Sequence, residues 1–336
     1  MDAVNPSDFF SSYGGMAASL GAAMLWSFSV TIYRIYGVGR SASWLNLYKG
    51  LVALICICVV SLVSDIRGNV TTQVFWTLTM SGIVGGLVGD TAFFAALFRI
   101  GATLTSTIQS LVPSMTAVLA YIFLGQSLRD MQIVGLLITS GCLGALLFFE
   151  AKTARKKDKD PRELLIPVSI PNAETQISPH VSITVERRQA HGRLYIAGVL
   201  FAVLAALSQA IGAVIAKPAL GSLSPFLVSA IRLWLPAIVL ILWQAQKVGS
   251  LTGALKGMVQ GPSLLVIACG SFAGTFLGLT LMMYGMAHAP LGVAFALNST
   301  YPVWILVGER IFGGKAMGLR ASLLVVGSVS GIWLMI

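Results

Sequence analysis

Charge is what this sequence has least of. Only 10% of its 336 residues are Asp, Glu, Lys or Arg, while 56% are hydrophobic. A soluble domain carries roughly 25% charged residues, and no soluble fold could hide so much apolar surface. Cysteine and histidine are scarce too. The four cysteines, Cys56, Cys58, Cys142 and Cys269, have no His or Cys partners at metal-site spacing; they are expected to be small buried hydrophobes inside helices. No Ser-His-Asp constellation and no Gly-x4-Gly-Lys-Ser/Thr phosphate loop is present. No catalytic residue, metal or cofactor is therefore expected; the chain is not expected to be an enzyme, and without a nucleotide-binding domain it is not expected to be an ATP-driven pump on its own. Acids are outnumbered, 12 against 22 basic residues. Most of that excess lies in short loops beside apolar runs, where it is a membrane-orientation signal and not a nucleic-acid-binding face.

What the sequence does have is long apolar runs. A bilayer core about 30 Å thick takes roughly 20 apolar residues per helix. Ten windows of that length occur, at about 14–36, 44–64, 74–98, 102–125, 131–150, 194–217, 225–246, 262–287, 290–311 and 316–336. The first has no preceding basic segment and exceeds a secretory h-region of roughly 7–15 residues, so it is expected to stay. The runs are apolar on every face, whereas barrel strands alternate apolar and polar residues. The expected fold class is an all-α integral membrane protein with about ten transmembrane helices.

The ten divide into five and five. At an offset of 183, Trp26 meets Gln209, Arg34 meets Lys217 and Lys49 meets Arg232; at 188, Gly82 and Gly86 meet Gly270 and Gly274, and Arg99–Ala102 meets Ala287–Pro290. The step between the offsets falls at 247–261, read as a loop. An odd number of spans per repeat inverts the second copy in the membrane, which is the inverted-repeat plan of many secondary transporters, with the substrate site near the midplane between halves. The domains expected are a first repeat at 14–150, a polar basic linker at 151–193 and a second repeat at 194–336. Glycines at every fourth position, Gly82 and Gly86, then Gly270, Gly274 and Gly278, predict close helix packing.

Several stretches carry a family resemblance. They are Leu25-Trp26-Ser27, Gly89 to Leu97 with Asp90 inside it, Arg99-Ile100-Gly101-Ala102 leading to Pro113, and Leu124-Gly125-Gln126. In the second half they are Phe276-Leu277-Gly278-Leu279, Asn298 to Pro302 and Gly308-Glu309-Arg310. The sequence resembles ten-helix members of the drug/metabolite transporter superfamily, in its EamA group. The resemblance implies a membrane transporter with both termini cytoplasmic and says little about the substrate. Two departures stand out. Gln126 occupies a place the family usually gives to Glu, and Pro302 to Gly308 spans six positions where Pro113 to Gly125 spans twelve, so the ninth span is about a turn and a half shorter than its counterpart.

Ionisable residues inside a bilayer are functional candidates by default. Asp90 is the only acid well inside a span; it is either a proton acceptor coupling transport to a proton gradient or a structural acid bonded to a neighbouring helix, to Lys49 or to Arg232. Lys49 and Arg232 either face inward, favouring a carboxylate or phosphate, or snorkel to headgroups. Trp26, Ser29, Tyr33, Asn46, Lys49, Gln109, Ser110, Gln209, Arg232, Tyr284, Asn298 and Thr300 are the candidate substrate-binding residues, since polar groups at membrane depth must face protein or a water-filled cavity. Pro113 and Pro302 are the candidate helix kinks. His288 reads as interfacial.

The function these features support is a secondary, gradient-driven transporter in a cell membrane that moves a small polar metabolite by alternating access. Amino acids or related organic ions are the suggested class, with protons as candidate coupling ion and membrane lipids as surroundings. The alternative is an integral membrane enzyme or lipid-handling protein holding a phosphate headgroup on Lys49 and Arg232. Placing both termini outside the cytoplasm gives the odd-numbered loops nearly all the cations, including the nine from Lys152 to Arg193, against Arg67, Arg129 and Lys217 on the other side. The charge rule thus favours non-cytoplasmic termini and a cytoplasmic linker, opposite to the family resemblance.

Overall fold

The computed structural model describes residues 6–157 except 38, 64–67 and 110, residues 180–301 except 222 and 262, and nine scattered positions between 303 and 334. The described residues are helical throughout, without strands. The helices are α1 (Pro6–Tyr36), α2 (Ala42–Val63), α3 (Thr72–Ser81), α4 (Asp90–Gln109), α5 (Val112–Leu124), α6 (Asp130–Lys157), α7 (His180–Ala216), α8 (Pro225–Val248), α9 (Leu251–Val259), α10 (Leu264–Ser271), α11 (Leu279–His288) and α12 (Leu291–Asn298). Two π-helical segments, Gly82–Gly89 and Phe272–Gly278, join α3 to α4 and α10 to α11.

Among the described residues six stretches are long and apolar enough to cross a membrane: Tyr13–Tyr36, Ala42–Val63, Thr72–Gly101, Leu194–Ala219, Pro225–Val248 and Leu264–His288. The window at 102–125 is interrupted: Gly101, at φ 78° and ψ 170°, turns the chain, and α4 ends at Gln109 before α5 begins at Val112. Most of the tenth window lies outside the described residues. The basic segment expected to be a linker is helical at both ends, because α6 runs to Lys157 and α7 starts at His180. The expected 247–261 loop contains α9, a nine-residue helix capped by Ser250, whose Oγ accepts from Gly253 N at 3.0 Å. That is an N-cap the apolar-run reading passes over.

The two halves exchange partners. α1 lies along α10, the second π segment and α11, while α7 lies along α3, the first π segment and α4. Likewise α2 packs on the second π segment and α8 on the first. Small residues make this possible: α7 buries Ala202, Ala205, Ala206, Ala210 and Ala213 along one face, the close-approach surface expected where lipid offers no hydrophobic drive. Large apolar side chains such as Leu62, Phe123, Leu200 and Leu265 lie outside, as they must against acyl chains. Two cysteines depart from expectation for the same reason, because Cys58 and Cys269 are exposed on the bundle's outer surface and an apolar solvent does not drive a thiol inward.

Candidate functional site

The glycine stripes are the places where the halves touch backbone to backbone. A Cβ on Gly82 would stand 2.0 Å from the carbonyl oxygen of Arg232, and one on Gly212 would stand 3.0 Å from Gly85 N. Pro236, inside α8, has no N–H for the Arg232 carbonyl four residues earlier, so α3 can settle onto that turn. Ser81 Oγ donates to Gly212 O at 2.5 Å. In the other half Gly274 packs on Ser29 and Trp26, and Gly285 on Ser19. Both π segments therefore sit at a seam between halves, and π turns commonly accompany functional sites.

A cavity of about 130 Å³ opens at this seam. A single water needs roughly 10–15 Å³, so the space holds several waters or one small molecule. It is lined from both halves: Trp26 on α1, Lys49 on α2 and Asp90 on α4 meet Gln209 on α7, Arg232 on α8 and Asn298 on α12. Gln109 contributes from the end of α4.

Among the described residues three charges line it. Lys49 Nζ donates to Asp90 Oδ2 at 2.5 Å, with side-chain exposures of 3% and 18%; it also lies 5.5 Å from the ring centroids of Trp26 and Phe94, within cation–π range. Asp90 is thus bonded to Lys49. Arg232 rests its guanidinium over Gly85, where a Cβ would come within 3.2 Å of Nη2. Its Nη1 is buried without a hydrogen-bond partner. Both amide atoms of Gln109, which is 5% exposed, are likewise buried and unpartnered.

Of the candidate substrate-binding residues, Trp26, Lys49, Gln109, Gln209, Arg232 and Asn298 line the cavity, together with Asp90. Others are occupied elsewhere. Tyr33 donates to Ser271 Oγ at 3.1 Å, Asn46 Nδ2 donates to Gly86 O at 2.8 Å and Thr91 Oγ1 at 2.9 Å, and Thr300 Oγ1 donates to Leu297 O at 2.7 Å. Ser29 is packed under Gly274, and Tyr284 stacks on His288 at 4.1 Å. Pro113 stands in the first turn of α5, after the break in the chain, and kinks no continuous helix; a proline is at home there because that N–H would have no partner anyway. Ser110, Pro302 and Glu309 lie outside the described residues. Residues the sequence reading passes over are Thr275, Met282, Met283, Met286 and Phe295, which form much of the remaining wall.

The EamA-like transporter family's model matches twice, over residues 13–149 and 196–336. The chain belongs to that family. It is thereby a member of the drug/metabolite transporter superfamily, with two repeats covering most of its length. One solved crystal structure superposes over 95% of this chain and 97% of its own with a TM-score of 0.66 at 14% identity; this likeness concerns the fold alone. No curated protein matches the sequence.

Proposed function

We propose that this EamA-family protein is a secondary transporter that moves a small polar metabolite, of the amino-acid or related organic-ion class, by alternating access between two inverted five-helix repeats. The observation that carries the reading is the cavity at the seam, walled by both halves and holding charged and unpartnered polar groups at membrane depth. The reciprocal packing of α1 with α11 and of α7 with α4 supports the inverted repeat. Under this reading the units are 14–150 and 194–336, joined by 151–193, and the charge bias favours both termini outside the cytoplasm.

Coupling to protons through Asp90 requires its bond to Lys49 to open, since a proton on the carboxylate takes the place of that partner. The pair also bears on the lipid-handling alternative. Lys49 is already engaged by Asp90, so the two cations do not form a free phosphate clamp. Purified protein in proteoliposomes, offered a broad panel of radiolabelled metabolites with and without an imposed proton gradient, tests the proposal. Gradient-dependent accumulation of at least one compound, made gradient-independent by Asp90→Asn, is the expected result; no movement of any compound under any gradient sinks it.

A further inference from the structure

The repeat alignment sets two cationic positions side by side. Lys49 corresponds to Arg232, and Asp90, the partner of Lys49, corresponds to Gly278. The first half carries its own counter-ion; the second has kept the cation and has no side chain where the acid would stand. Gly278 and Arg232 line the same cavity. The three described charges on its wall, Lys49, Arg232 and Asp90, sum to +1, and Asp90, which acts on Arg232 through space, is bonded to Lys49. A buried cation costs several kcal/mol unless it is paired, and Arg232 Nη1 has no hydrogen-bond partner. On the same cavity wall, Gln109 offers an amide with both polar atoms unmatched. The rest of the wall includes Met282, Met283, Met286 and Phe295, polarisable surfaces that adapt to an apolar body.

We infer that the substrate is an organic monoanion with an apolar body, whose carboxylate binds Arg232 in the place the missing acid at position 278 leaves open. This rests on the transport reading for its cavity and adds the substrate's charge and shape. A carboxylate presents two oxygens to a guanidinium and satisfies Nη1, and a single negative charge brings the cavity to neutrality. The methionine and phenylalanine wall takes the remainder of the molecule.

The test uses purified full-length protein and three near-isosteric probes: 3-phenylpropionate, its amide, and 3-phenylpropylamine, with phenyl phosphate as a dianion. Binding is read by thermal shift and by isothermal titration. The carboxylate is expected to bind at least about tenfold tighter than the amide, a single charge-assisted contact's worth, with the amine and the dianion weaker still. Gly278→Asp supplies the absent counter-ion and is expected to remove the preference for the carboxylate. Its Cβ would meet Ala273 O at 3.3 Å, Leu25 Cβ at 3.6 Å and Ala22 O at 3.7 Å, a tight fit without an outright clash. Arg232→Gln is expected to do the same.

Wild-type protein that binds none of the four, or that prefers the amide, amine or dianion, overturns the inference whatever the variants do. A carboxylate preference that survives Gly278→Asp also overturns it. Carboxylate binding that depends on Arg232, in a protein that moves nothing across a membrane, would keep the anion site and overturn the transport reading instead.

Discussion

The two π-containing spans occupy equivalent places and have been finished differently. In the first half Lys49 and Asn46 of α2 are spent inside the half: Lys49 bonds Asp90, and Asn46 bonds both Gly86 O, within the π segment, and Thr91. In the second half their counterparts on α8 are Arg232 and Ser229, and Gly278 and Leu279 stand at the positions that correspond to Asp90 and Thr91. Arg232 Nη1 and Ser229 Oγ have no partners. At these two pairs of positions the first repeat's polar groups are paired and the second's are not. Glycine at position 278 leaves Arg232 without the bonded counter-ion that Lys49 has in Asp90.

The largest effect expected from breaking this contrast is at Lys49. Lys49→Met strands a buried carboxylate and should cost about 3–5 kcal/mol, seen as a large fall in the melting temperature of detergent-solubilised protein, whereas Arg232→Met, which strands no bonded partner, should cost clearly less. Equal losses at the two positions would erase the distinction. Next comes Gly82→Ala. Its Cβ would stand 2.0 Å from a backbone carbonyl of α8, and so the two helices must separate, at about 2–4 kcal/mol. The counterpart Gly270→Ala meets only the Ile32 side chain, at 3.1 Å, and Gly86→Ala meets Pro236 Cγ at 3.9 Å; the melting temperatures should rank accordingly, with Gly86→Ala near wild type. Asn46→Leu removes two interhelical hydrogen bonds and should cost about 1–2 kcal/mol, while Ser229→Ala should stay within about 0.5 kcal/mol. The smallest energetic demand is made by orientation: a cysteine in the 158–179 segment should resist an impermeant thiol reagent in intact cells and react after permeabilisation.

Much of this was legible in the sequence because membrane depth magnifies polar residues. Lys49, Asp90, Gln109, Gln209 and Arg232 stand out against apolar neighbours, and the offset of 183 pairs Lys49 with Arg232 before any coordinates are known. The methionine wall was not legible, since a Met facing a cavity and one facing lipid look alike in an apolar run. Nor were the π segments, whose glycine spacing announces close packing but not the wider turn. Asn46 and Tyr33 were expected at the cavity and are instead bonded to neighbouring helices; residue type alone does not separate a lining group from one that ties helices together. Pro113 failed as a kink because Gly101 and the break after Gln109 had already ended the helix it was expected to bend.

The most direct test of the central claim, that the seam between the repeats is a path open to each side in turn, is thiol labelling within the cavity. With Cys56, Cys58, Cys142 and Cys269 replaced by serine, Thr275→Cys places a single thiol on the cavity wall, at a position whose own hydroxyl has no partner. The account predicts reaction with an impermeant reagent applied from either face of the membrane, in right-side-out and in inverted vesicles. A thiol that reacts from one face only, or from neither, would contradict it.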